Sequence, residues 1–120
     1  MHIIAPGTGS KDDLSTTQWC NINGFLARLT SFSSSIPLFD FSLYAIWTLR
    51  SAFESTNDVP AAEKDAAKVW FLYAEDTIDR LSREEKTFDG KIAKAGDKFK
   101  DRDWRGFNAQ RMEIWQAALK

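Results

Sequence analysis

Two arginines stand where a helical protein rarely puts them. In "FSLYAIWTLRSAFE", residues 41–54, Arg50 falls between Leu43 and Ile46 on the helical wheel, inside an otherwise apolar stretch. In "NAQRMEIWQAALK", residues 108–120, Arg111 falls among Met112, Trp115 and Ala118 on the inward face. A guanidinium is seldom buried without an anionic or planar partner. Glu54 lies one turn after Arg50, and Trp115, one turn after Arg111, offers a ring face for cation–π stacking. Two chemistries follow. One is a salt-bridged, aromatic-packed core pair of Arg50 with Glu54. The other is a small pocket in which Arg50 or Arg111 binds a carboxylate or other small anion between aromatic walls. The candidate binding residues are Arg50, Glu54, Arg111, Trp115, Trp47 and Tyr73.

Other chemistries fare worse. His2 is the only histidine and Cys20 the only cysteine, so zinc and haem lack their ligands, and no metal or cofactor is expected. Asp97, Asp101 and Asp103 lack the ladder and the terminal glutamate of a calcium loop. A serine or cysteine nucleophile needs a histidine on a scaffold element, and His2 lies on an arm. Cys20 has no basic neighbour one turn away, which points to an inert thiol. Glu75, Asp76 and Asp79 share a polar helix face with lysines, and Asp76 with Arg80 forms an i,i+4 pair in the favourable order. No strand precedes the glycines of "DGKIAKAG", which excludes a phosphate loop. Lys91, Lys94, Lys98, Lys100, Arg102 and Arg105 interleave with Phe99 and Trp104, but Asp89, Asp97, Asp101 and Asp103 cancel much of that charge. Nucleic acid is disfavoured, because phosphate contacts need a net basic surface.

The elements that must position the arginines are helices. Residues 1–13 read as an extended or mobile arm, broken by Pro6, Gly7 and Gly9, and 14–120 as a single helical domain. A first helix from about Thr16 puts Trp19, Ile22, Phe25, Leu26 and Leu29 on one face and Cys20, Gly24, Ala27 and Ser31 on the other. Large residues on one side and small on the other read as a central helix packed between two neighbours. Pro37 and a serine run break the chain, and Asp40 is placed to cap a nearly all-apolar second helix over 41–55. Pro60 opens a third helix, with Asp58 a candidate cap, running to about Leu81 and burying Ala62, Ala66, Val69, Trp70, Tyr73, Ala74, Ile78 and Leu81. A charged connection pinned by Phe88, Phe99, Trp104 and Phe107 leads to a last helix capped by Asn108. The fold class is all-α: a compact array of four main helices with a long charged connection before the last.

Composition agrees with one domain. In 120 residues, 43% hydrophobic and 28% charged content is that of a globular protein, and only the aromatics stand out, with five Trp and nine Phe. A net charge of −1 gives no global field toward nucleic acid or anionic membranes. A single cysteine excludes an internal disulfide and suggests a reducing compartment. The N-terminus has no basic segment and only the short apolar "IIA", so it does not read as a signal peptide, and no run is long enough to span a membrane. A cytoplasmic or nuclear protein is the expectation.

Four stretches carry a resemblance. "NINGFLARLT", "FSLYAIWTLRSAFE", "AAKVWFLYAEDTI" and "GFNAQRMEIW" resemble a fungal family, abundant in filamentous ascomycetes, described only as a domain of unknown function. The likeness covers residues 18–119 and corresponds to the C-terminal portion of longer members. Arg28, Arg50, Glu54, Arg111 and Trp115 fall on recurrent positions, whereas Glu75 replaces a usual glycine in the third motif. The resemblance implies a helical fold and a fungal source, and brings no activity with it. Three functions fit. The first is a non-catalytic intracellular binding or protein-interaction module, self-association included. The second is a small-molecule binder or metal-free accessory enzyme using the arginine pocket, and the third a fungal effector.

Overall fold

The computed structural model describes residues 16–56 and 58–119, and the arm expected over 1–13, with His2, lies outside them. The described residues form four α-helices: α1 (Thr16–Ser31), α2 (Ser42–Phe53), α3 (Ala61–Arg83) and α4 (Ala109–Leu119). This is the all-α array that the sequence predicts. Two 3-10 turns, Pro37–Phe39 and Asp97–Phe99, punctuate the connections.

α1 and α2 make an antiparallel hairpin fastened at the serine break. The Thr30 hydroxyl donates back to the Leu26 carbonyl (2.8 Å) and accepts the Phe41 N–H (3.1 Å), tying the exit of one helix to the entry of the next. Asp40 starts α2 through an Asx turn, accepting the Ser42 N–H at 2.9 Å, but it stands one residue before the N-cap, which is Phe41 and not Asp40 as expected. Its other oxygen takes Lys86 at 2.6 Å. Burial alone would raise the Asp40 carboxyl, but the hydrogen bonds from Lys86 and Ser42 and the Lys86 charge outweigh it and hold the group below the usual range. Along α2 only Ser51 is exposed, as its composition predicts.

The central helix is α3, which packs against α1, α2 and α4; α1 packs chiefly on α3 and more lightly on α2. The stripe that α1 buries is Asn23, Leu26, Ala27 and Thr30; of the expected large face of Trp19, Ile22, Phe25, Leu26 and Leu29, Leu26 is buried and Ile22 packs partly on the core, but Phe25 is 61% exposed. Small residues decide this. A Cβ on Gly24 would stand 3.3 Å from Val69 Cγ1, so α1 presses its small side, not its large one, onto α3. Tyr73, expected inward, is exposed for the same reason.

Pro60 occupies the N-cap of α3, and no side chain, Asp58 included, bonds to that cap. Alanines 62, 66, 67 and 74 with Trp70, Ile78 and Leu81 form the buried side. The helix kinks at Ala74 (φ −134°, ψ 21°) without a proline or glycine to cause it. Its end is a Schellman turn: Lys86 N–H donates to the Leu81 carbonyl (3.0 Å) and Glu85 N–H to that of Ser82 (3.2 Å). Glu85 holds the left-handed position, φ 54°, where glycine is usual. The ion pair on the polar face is Asp79 with Arg83 (3.1 Å), in place of the expected Asp76 with Arg80.

The connection after α3 climbs alongside α2, then returns. Phe88 N–H bonds the Arg105 carbonyl and Phe107 N–H the Lys86 carbonyl, both at 2.8 Å, around a bridge of Thr87 with Gly106. A Cβ on Gly106 would lie 2.1 Å from the Lys86 oxygen, so this glycine permits contact rather than flexibility. The aromatics pin the segment as expected, with Phe107 and Trp104 buried and Phe88 and Phe99 half-buried. Asn108 caps α4, its Oδ1 accepting the Arg111 N–H at 2.8 Å. Met112 and Trp115 face inward, whereas Ala118, expected there, is exposed in the uncovered last turn.

Candidate functional site

Arg111 and Glu54 meet at the centre of the molecule. Both side chains are 0% exposed, and Arg111 Nε stands 2.8 Å from Glu54 Oε2. A guanidinium has five N–H donors, and each has an acceptor. Nε and Nη2 donate to the Glu54 carboxylate (2.8 and 3.1 Å), Nη1 to the Ala93 and Gly106 carbonyls (2.8 and 3.0 Å), and Nη2 also to the Lys94 carbonyl (2.9 Å). Glu54 is saturated in turn. Oε2 also accepts the Trp115 indole N–H (2.7 Å) and Oε1 the Gly96 N–H (2.8 Å). The guanidinium carbon lies 5.3 Å from the Trp104 ring centroid and 5.4 Å from that of Trp115, a cation held between two indoles. No donor of Arg111 is left over for a ligand.

This corrects the expected partnership. Glu54 pairs with Arg111, 57 residues away, and not with Arg50. The reason is register. Glu54 closes α2 just where the connection arrives with Gly96, and a Cβ there would approach the Glu54 carbonyl to 2.5 Å. Arg50 reaches the same connection from outside, donating from Nη1 to the Lys94 carbonyl at 3.1 Å. Trp47 does likewise one turn earlier, its indole N–H donating to the Ile92 carbonyl at 2.7 Å. Trp47, Arg50 and Glu54 thus form one edge of α2 that grips backbone from Ile92 to Gly96. Burial, and the Arg111 charge after it, lower the Arg50 guanidinium from its ordinary value, with Glu54 opposing.

A second buried polar node went unread in the sequence. Asn23 Oδ1 accepts the Trp70 indole N–H (2.7 Å) and the Thr48 hydroxyl (3.0 Å), while its Nδ2 donates to the Trp19 carbonyl (2.9 Å). One amide so joins α1, α2 and α3. Its signal was an asparagine at i−3 from Leu26 and i−4 from Ala27, inside the stripe that the structure buries. Cys20, half-covered near this helix, has its thiol pushed up by burial and, less, by the Asp65 charge.

Tyr73 belongs to a different place. Arg28 lies over its ring at 4.6 Å, on the outer surface of α1 and α3. Phe25, Arg28 and Phe32 follow one another along α1 and its exit at i, i+3 and i+7, all exposed, and Arg28 reaches Tyr73 of α3. Leu72 of α3 is 72% exposed, and the turn after α1 exposes Ile36 and Leu38 as well. Ser31 and residues 71–77 enclose a shallow groove of about 300 Å³ at the α3 kink. Two further grooves are open: one of about 480 Å³ under Trp104 and Gln110, and one of about 320 Å³ between Phe71 and Leu119. None reaches the Arg111 guanidinium.

No helix among the described residues is long and apolar enough to cross a membrane. Comparison with curated proteins and with solved structures finds no match in either. A sequence profile of one family matches residues 5–119, so that all four helices, the Glu54–Arg111 centre and the open strip lie within it. The chain belongs to this family, DUF3632, a family of proteins of unknown function.

Proposed function

We propose that this chain is a non-catalytic protein-interaction module of a fungal, intracellular protein, working through the open strip of α1 and α3. The observation that carries the reading is the exposure of Phe25, Phe32, Leu72 and Tyr73, large apolar side chains left in solvent on α1, its exit and the adjoining α3. Contiguous exposed apolar surface marks contact sites, whereas single exposed residues do not. The described grooves are open ones, and Arg111 has all five of its donors bonded to its own chain. A single cysteine supports a reducing compartment, and the fungal source rests on the sequence resemblance. Native mass spectrometry of the protein purified from its own host tests this. A protein partner retained by the wild type and lost from a Phe32→Glu, Leu72→Glu variant of unchanged melting temperature is the expected result. A bound small molecule that is indifferent to those changes contradicts it.

One observation favours a second reading, an anion site at the surface. Arg50 is half-buried beside Trp47, next to the Arg111 charge, and only its Nη1 is bonded among the described residues. A small anion there would relieve the repulsion between two cations, and Arg50→Met would abolish its retention.

A further inference from the structure

We infer that Asn23 is a latent modification site, closed by the fold and opened by unfolding, whose deamidation makes the unfolding of this chain irreversible. Of the four asparagines, Asn21, Asn23, Asn57 and Asn108, only Asn23 precedes a glycine. A backbone nitrogen can attack the side-chain carbonyl carbon of the asparagine before it, and a following residue without a Cβ leaves that approach open. The reaction needs only a base and water. The Gly24 nitrogen gives up its proton and bonds to Asn23 Cγ, and the side-chain amide nitrogen leaves as ammonia. Water then opens the cyclic imide at either carbonyl. One opening yields aspartate in the ordinary chain, the other an isoaspartate whose main chain runs through Cβ.

The fold withholds each part of this chemistry. Asn23 is buried, out of reach of base and water. Its Oδ1 is held by the Trp70 indole N–H and the Thr48 hydroxyl, and its Nδ2 by the Trp19 carbonyl one turn back along α1. Gly24 lies in the middle of α1, so its N–H belongs to the helical ladder. The contact of Gly24 with Val69 favours glycine at this position, and the packing on α3 thereby places a labile pair inside the helix that shields it. The same bonds make the change one-way. Either product carries a carboxylate where an amide stood, with no N–H for the Trp19 carbonyl and no cation among its partners to offset a buried charge. Isoaspartate also lengthens the main chain within α1 and breaks its ladder. A chain converted while open cannot rebuild the node that joins α1, α2 and α3, and chemical change of the unfolded state outruns refolding.

The test is incubation of the full chain in mildly alkaline buffer, native and unfolded in guanidinium chloride, with peptide mass mapping of every asparagine. In the unfolded chain Asn23 should gain the mass of an amide turned acid well ahead of Asn21, Asn57 and Asn108. In the native chain its rate should fall by about a hundredfold or more, because only the open fraction reacts. Gly24→Ala, measured in denaturant where folding is not at issue, should slow Asn23 toward the other three. After partial conversion and dilution from denaturant, unconverted chains should refold, and converted ones should collect in the expanded fraction on gel filtration. Asn23→Asp, which carries the ordinary-chain product from the start, should be unfolded or have a lower guanidinium midpoint than the wild type. Equal native and unfolded rates at Asn23 overturn the closure by the fold. An unfolded Asn23 no faster than the other asparagines overturns the site. Converted chains that refold fully, or an Asn23→Asp protein as stable as the wild type, overturn the irreversibility.

Discussion

Arg111 and Arg28 both lie over aromatic rings, and they could hardly differ more. Arg111 sits between Trp104 and Trp115 with no exposed surface and every donor bonded to Glu54 or to a carbonyl. Arg28 lies over Tyr73 in solvent and has no ion pair among the described residues. The difference shows what stacking alone leaves undecided. A guanidinium enclosed with a full set of acceptors holds a fold together, because removing any one partner strands a buried charge. A guanidinium on an open apolar strip costs its own chain little, and its unused donors are free to meet another surface.

The largest expected effect is at the closed centre. Glu54→Leu leaves the Arg111 charge buried and the Trp115 and Gly96 N–H groups without acceptors, and should cost roughly 3–5 kcal/mol in urea unfolding. Adding Arg111→Met should recover only part, since the Ala93, Lys94 and Gly106 carbonyls then lose their donors. Arg50→Met should cost about 1 kcal/mol and add to Glu54→Leu with little coupling, being a carbonyl contact and not the carboxylate's partner. Strong coupling of Glu54 to Arg50 would restore the pairing expected from the sequence. Next in size is Asn23→Leu, which orphans the Trp70 indole and the Thr48 hydroxyl and should cost roughly 1–3 kcal/mol in the same assay.

Smaller effects sharpen the contrast at the surface. Glu85→Gly relieves a left-handed backbone position and should stabilise by about 0.5–1 kcal/mol, read as a raised urea midpoint. Asp40→Asn should cost about 0.5 kcal/mol at neutral pH, because its tie to Lys86 is partly solvated. The sign with pH follows from a carboxyl held low in the folded state. The tie is fully present above the unfolded aspartate value of about 3.9 and is lost as pH falls through the lower folded value. Wild type and Asp40→Asn should therefore converge in acid, and a gap that widened there would contradict the assignment.

Most of the fold was legible because it is written in local pattern. The break at Pro37, the apolar α2, the Asn108 cap and the aromatic pins of the connection all follow from spacing and turn chemistry. The orientation of α1 was not. Close approach on its small side at Gly24 is as expected, but the spacing predicts a covered large side too, and an amide with three partners at Asn23 sets the face instead. The site was legible in its members and illegible in its pairing. Arg111, Glu54 and Trp115 announce themselves as misplaced or amphipathic residues, and local spacing joins Glu54 to the nearer Arg50. The actual partner arrives through a contact 57 residues distant, guided by backbone carbonyls that no side-chain pattern encodes. The Arg28–Tyr73 strip was hidden by the same error in α1, because Phe25 and Tyr73 read as core.

The most direct measurement sets the two arginines side by side: urea unfolding of Arg28→Met and Arg111→Met at a concentration low enough to keep the chain monomeric. Arg111→Met should lose roughly 3–5 kcal/mol, the cost of leaving Glu54 buried and uncompensated. Arg28→Met should stay within about 0.5 kcal/mol of the wild type, as exposed substitutions do. Equal losses at the two positions, or an Arg111→Met protein as stable as the wild type, would contradict the division between a closed arginine that holds the fold and an exposed one that does not.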